Sequence, residues 1–192
     1  MRIVLLGAPG SGKGTQAAML QEELGLPHIS TGALLRAAVK KQTEVGLQAK
    51  EILDRGDFMP DEIMLHLIEE RLAQPDVETS FMLDGYPRNL AQAKALDELL
   101  ERLDKPLDEA IQIDVDPERI LARILRRASE EHRSDDSEEV FRHRMEVYEE
   151  HTAPVAEYYA QQGLLTRILG HGSPADVQRL LLSVLELDVQ AP

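Results

Sequence analysis

The sequence predicts an α/β protein with a parallel sheet, helices on both faces and right-handed crossovers. Three observations carry this. Short apolar runs at Ile3-Val4-Leu5-Leu6, Phe81-Met82-Leu83 and Ile111-Gln112-Ile113-Asp114-Val115 alternate with longer stretches of helical periodicity. No two runs are joined by the tight turn that antiparallel neighbours would use. The first run leads through Gly7-Ala8-Pro9-Gly10-Ser11-Gly12-Lys13-Gly14-Thr15 into a helix-forming stretch. Strand, glycine-rich turn and helix in that order make a phosphate cradle: in the spacing G-x-x-x-x-G-K, backbone N–H groups converge on phosphate oxygens and the lysine reaches the outer ones. Gly10, Ser11, Gly12, Lys13, Gly14 and Thr15 are therefore candidate ligands of a nucleotide's phosphates. Gly14 stands where a Ser or Thr usually follows the lysine, and the hydroxyl comes one place later at Thr15. Direct ligation of magnesium by that hydroxyl is not expected.

Thr15 to Leu24 reads as a helix closed by Gly25, and Pro27 prevents its continuation. His28-Ile29 is a short extended piece before Ser30-Thr31-Gly32, a turn that starts the next helix. Such a start offers free N–H groups to an anion, with Arg36 one turn in, although taken alone Ser-Thr here is more often just an N-cap. Helices are expected over Val45 to Leu53, ending at Arg55-Gly56-Asp57, and over Ile63 to Leu72, begun by Pro60-Asp61-Glu62. The strand Phe81-Met82-Leu83 ends in Asp84. A carboxylate there, at the carboxyl end of a parallel strand, points into the ligand crevice and can hold magnesium or its waters. Gly85-Tyr86-Pro87-Arg88 follows, and Gln92, four residues past Arg88, shares its face if a helix starts here. That helix runs to about Leu103.

Asp116-Pro117 caps and starts a helix to Arg127, with Arg123 and Arg127 on one face. Ala128 to Ser137 is nearly devoid of apolar residues and reads as an exposed loop. Phe141, Met145 and Tyr148 then form the apolar stripe of a long helix, with Arg144 beside it. Pro154 is expected to kink or divide that helix. Leu164 to Ile168 reads as the last strand, Gly170-His171-Gly172-Ser173-Pro174 as a turn, and Ala175 to about Leu187 as a final amphipathic helix.

At 192 residues the chain suits one domain, 1–192, with insertions. Its formal charge of −14 disfavours nucleic acid and anionic membranes as partners, so an anionic substrate needs a local basic site. Arg119, Arg123, Arg126, Arg127, Arg133, Arg142 and Arg144 provide one candidate, since the planar guanidinium suits bidentate phosphate contacts. A solvated basic helix face is the alternative. The absence of cysteine excludes disulfides, thiolate zinc sites and a cysteine nucleophile, and the six histidines show no H-E-x-x-H or similar ligand spacing. No run of about 18 apolar residues is present. The N-terminus enters a strand without a signal-peptide layout, so a cytoplasmic protein is expected.

Taken together, G-A-P-G-S-G-K-G-T-Q from Gly7, S-T-G-A-L-L-R from Ser30, F-M-L-D-G-Y-P-R from Phe81 with Gln92, and H-R-S-D-D from His132 with Arg144 resemble the adenylate kinase family, in order and over almost the whole chain. The resemblance implies the P-loop nucleoside monophosphate kinase fold: a five-stranded parallel sheet with two mobile flaps, one over AMP at about 30–59 and a short one over ATP at about 126–136. It implies transfer of a phosphoryl group from MgATP to AMP, giving two ADP, by a monomer. Gly10 to Thr15, Arg123, Arg127 and Gly172 would then serve ATP. Thr31, Arg36, the Asp57-Phe58-Met59 backbone, Gly85, Tyr86, Pro87, Arg88 and Gln92 would serve AMP, with Arg133 and Arg144 clamping the phosphates and Asp84 holding magnesium through water. Lys13, Arg88, Arg127, Arg133 and Arg144 are the implied catalytic set. Ala33 stands where the family often has an acid. The short second flap lacks the length and the cysteines of zinc-binding forms, so no zinc is expected.

Two other readings compete. A pyrimidine monophosphate kinase would share cradle and flaps, but Thr31 and Gln92 favour adenine, since those relatives resemble S-A-G and an asparagine at the two places. A P-loop switch that signals by changing shape would need a guanine-selective N-K-x-D segment, which the sequence lacks.

Overall fold

The first strand, β1 (Arg2–Leu6), is apolar on both faces and becomes the middle of the sheet. In the computed structural model, which describes residues 1–131 and 137–189 (side chains outside 125–131 and 186–189), Ile3, Val4, Leu5 and Leu6 are at most 4% exposed. Alternation of side chains along a strand sends Ile3 and Leu5 to one side and Val4 and Leu6 to the other. The first pair packs on α1 (Lys13–Leu24) and α9 (Pro174–Val189) through Ala17, Leu20, Val177 and Leu181. The second packs on α4 (Asp61–Leu72), α5 (Leu90–Arg102) and α8 (Ala153–Gln161) through Ile68, Leu96 and Tyr159. Each such fully buried aliphatic chain stabilises the fold by roughly 1.5–3 kcal/mol relative to exposure.

Beside β1 lie β2 (His28–Ser30), β3 (Phe81–Asp84), β4 (Glu109–Asp114) and β5 (Leu165–Leu169), all parallel, in the order β2-β3-β1-β4-β5. Register sets Leu5 beside Asp84 and Leu6 beside Gln112. The chain passes from β1 to one side of the sheet and later crosses to the other, which opens a crevice at the carboxyl ends of β1 and its neighbours. The expected parallel α/β fold is thus the observed one.

Local signals account for most helix ends. Ser30, Thr43, Asn89 and Ser137 each accept a hydrogen bond from the third backbone N–H on, starting α2 (Thr31–Lys40), α3 (Glu44–Arg55), α5 and α7 (Glu138–Val147). α2 and α3 touch backbone to backbone at Gly46, where an added Cβ would lie 2.1 Å from the Ala38 carbonyl oxygen. One boundary differs from expectation. The helix α6 (Pro117–Glu131) continues past Ala128, where a loop was expected to begin: Ala128, Glu130 and Glu131 are good helix formers, and polarity alone does not end a helix. Pro154 marks the division of the long helix, one of the two outcomes expected of it. A π-helical turn over Tyr148–Thr152 resets the register, and Pro154 falls in the first turn of α8, where no N–H is required of it. Among the described residues no helix is long and apolar enough to cross a membrane.

Candidate active site

The chain leaving β1 wraps the N-terminus of α1. Gly12 caps that helix in a left-handed conformation, with no side-chain cap and no acid in the first turn, so its first N–H groups and dipole remain available to an anion. Gly10 is needed twice over. Its φ is +81°, and an added Cβ would meet Ile120 Cγ2 at 2.7 Å and Ile124 Cγ1 at 2.8 Å, because the back of the loop rests on α6. Lys13 Nζ donates to the carbonyls of Gly7 at 2.7 Å and Ala8 at 2.9 Å, and to Ser11 Oγ at 3.4 Å, folding over the mouth of its own loop. Arg123 donates to the Ser11 carbonyl at 3.3 Å and the Gly170 carbonyl at 3.1 Å, tying the cradle to the turn after β5.

Across the crevice, Asp84 ends β3 with its side chain 12% exposed, and His28 Nε2 lies 3.3 Å from its Oδ2. Burial alone would raise its pKa, but the His28 hydrogen bond and the nearby charges of Lys13 and Arg88 outweigh it and hold the carboxyl below its ordinary value. A Cβ on Gly14 would sit 3.6 Å from the same oxygen, so the carboxylate faces the start of α1. Among the described residues no group of three or more potential ligands could by itself cage a metal. One ionised carboxylate beside a phosphate cradle does fit magnesium, which keeps waters and takes much of its coordination from substrate phosphates.

Arg88 follows β3 and is braced from several sides. Its Nε donates to the Gly85 carbonyl at 2.8 Å, its guanidinium lies 5.2 Å from the Phe58 ring centroid, and its own carbonyl accepts from Thr152 Oγ1 at 2.7 Å. Thr31 Oγ1 donates to the Gly85 carbonyl at 2.9 Å and fastens α2 to this turn. The Arg36 guanidinium lies over Gly32, where an added Cβ would meet Nη1 at 3.1 Å. The Arg144 stem packs on Gly56, whose Cβ would fall 2.7 Å from Cγ. Next to it, His143 Nε2 is 2.8 Å from Asp57 Oδ1, and Asp57 also accepts from Arg55 Nε at 2.9 Å. Gln92 is 2% exposed; its Oε1 accepts from the Arg88 N–H and its Nε2 donates to Asp61, both at 2.7 Å.

One cleft of about 1250 Å³ is lined by Gly10 to Thr15, Arg123 and Gly172 at one end and by Arg36, Phe58, Gly85, Pro87 and Arg88 at the other, with Asp84 and Arg144 between them. Thr31, Asp57, Met59 and Gln92 line a recess that shares Phe58, Gly85 and Arg88 with the cleft and, at about 10 Å³, has room for about one water. The Tyr86 ring, 1% exposed, belongs to the core, so only its backbone is near the ligand side. Arg133 and the side chain of Arg127 lie outside the described residues, as does the expected ATP flap at 126–136 apart from the α6 backbone. Sequence reasoning missed Asp61, Asn89 and the pairing of His28 with Asp84. Asp61 was visible only as a helix-start acid and His28 only as an ordinary polar residue.

A sequence model of the family described as Adenylate kinase matches residues 5–164. A protein named Adenylate kinase from Stenotrophomonas maltophilia (strain K279a) is 49% identical over 186 residues, 97% of this chain and 100% of that protein. One of the same name from Xanthomonas campestris pv. campestris (strain 8004) is 54% identical over 177 residues, 92% of this chain and 95% of that protein. Matches of that extent take in β1, the cradle, β3, the Gln92 helix and the arginine-rich α6–α7 segment alike, and with them the chain belongs to the adenylate kinase family of phosphotransferases.

Proposed function

We propose that the cleft transfers the terminal phosphoryl group of MgATP to AMP, giving two ADP, with ATP on the cradle and AMP in the recess beside Gln92. The observation that carries this reading is one continuous cleft with the Lys13 cradle at one end and the Arg88–Phe58 wall at the other. The names of the relatives support the same pair of substrates. Phosphoryl transfer depends mainly on alignment and on neutralising charge over the transferring oxygens, so it asks for cations rather than a strong base. Lys13, Arg88 and Arg144 on this cleft, with Arg127 and Arg133 from the basic segment, are that set. Asp84 would hold magnesium chiefly through its waters, and the ion when bound supplies further neutralisation of the phosphates.

The tight recess supports a mobile flap at 30–59. A purine enters only if α2 and α3 swing away from Arg88, and their return, with closure of 126–136, would exclude the water that otherwise accepts the phosphoryl group. A cytoplasmic monomer that binds neither nucleic acid nor membranes fits the charge of −14, and no zinc is part of this reading.

Base choice supplies the test. AMP is expected to exceed GMP, CMP and UMP by at least ~100-fold in kcat/KM with MgATP, the scale on which a wrong base leaves buried polar groups unpaired. Gln92→Ala is expected to raise the AMP KM and narrow that gap, with the MgATP KM little changed. Equal use of CMP or UMP would instead support the pyrimidine kinase reading.

A further inference from the structure

The least explained polar group near the cleft is Asp61, the first residue of α4, which the expected substrate contacts do not use. Its Oδ1 accepts from Gln92 Nε2 at 2.7 Å, and its two oxygens accept from Asn89 Nδ2 at 3.0 and 3.2 Å. Asn89 is held in turn, because its Oδ1 accepts from the Gln92 backbone N–H at 2.8 Å as the cap of α5. Gln92 Oε1 meets the Arg88 N–H on the other side. The amide of a residue only 2% exposed is thus fixed at both ends, oxygen to a backbone donor and nitrogen to an acceptor-only carboxylate. Rotating it by half a turn would set oxygen against carboxylate and NH₂ against N–H.

We infer that Asp61 is a positioning residue that locks the Gln92 amide in one orientation and thereby sets the preference for adenine over guanine. An amide has two donors and two acceptor positions. With one of each used inside the protein, one acceptor position and one N–H remain for a base. Adenine offers the matching pair, its N6 amino donor and the adjacent ring-nitrogen acceptor; guanine offers the reverse, an acceptor at O6 and a donor at N1. A glutamine free to flip would serve both bases, so its identity alone does not give selectivity. The carboxylate supplies what the glutamine lacks, because buried like-to-like contacts disfavour the flipped amide. This inference rests on Gln92 reading the base.

The test compares Asp61→Asn, Asp61→Ser, Asp61→Glu and Gln92→Ala for kcat/KM with AMP and with GMP at saturating MgATP. Asparagine and serine can each accept from or donate to the neighbouring amide, so both are expected to raise the GMP-to-AMP ratio about 10-fold, chiefly through GMP. Asp61→Glu keeps an acceptor-only group and is expected to retain selectivity. A contact that merely joins α4 to α5 would lower stability and both activities together, leaving the ratio unmoved. If Gln92→Ala loses selectivity while folded Asp61→Asn and Asp61→Ser keep it, the lock is overturned and base reading by Gln92 stands. If Gln92→Ala itself leaves the ratio unchanged, the base-reading assignment fails and the lock with it. Serine is well tolerated at a helix start, so the comparison survives should the asparagine variant not fold.

Discussion

Lys13→Ala is expected to remain folded and to lose more than ~100-fold in kcat/KM for AMP-dependent ADP formation, the scale of removing one donor that stabilises transition-state charge. The structure separates the two outcomes. The ammonium group of Lys13 donates to groups of its own loop, the Gly7 and Ala8 carbonyls and Ser11 Oγ, at the mouth of the cleft where water can replace it. The cores on either side of β1 do not include it. Its value lies in exchanging neutral carbonyl acceptors for anionic phosphate oxygens as the reaction proceeds. Circular dichroism and thermal melting check the first outcome and steady-state kinetics the second. A folded variant with near-normal activity would remove the cradle from the mechanism.

Arg88→Lys is expected to cost about 100-fold in kcat even though charge is conserved, because a bidentate fork in a fixed orientation becomes a single mobile ammonium group. Here the fork is aimed by the Gly85 carbonyl on Nε and by the Phe58 face, and a lysine's single ammonium group cannot keep both contacts while presenting two parallel N–H groups to a phosphate. A loss confined to KM would assign Arg88 to ground-state binding of AMP alone; unchanged kinetics would contradict its place on the transferring phosphate.

How much of this was legible beforehand depends on the range of the interaction. The cradle, the cap Ser30 and the sheet were readable because each is a local pattern of spacing, capping chemistry or apolar periodicity. Gln92 was readable as sharing a helix turn with Arg88, and its Oε1 does meet the Arg88 N–H. What fixes its other end was not, since Asp61 lies 31 residues away and announces itself only as an acid in a first helical turn. The same holds for His28 with Asp84, 56 residues apart, and His143 with Asp57, 86 apart: single histidines whose partners are chosen by tertiary packing. The end of α6 was misplaced for a different reason. Ser129-Glu130-Glu131 is polar enough for a loop and helical enough in propensity for a helix, and in α6 the propensity decides.

The central claim is that the cradle and the Gln92 recess are two ends of one site holding both nucleotides at once. A non-hydrolysable molecule with ATP and AMP joined through their phosphates tests it directly, by inhibition kinetics against each substrate in turn. Competitive inhibition against both ATP and AMP, with one molecule bound per chain, is the predicted result; competition with only one of them would contradict the account.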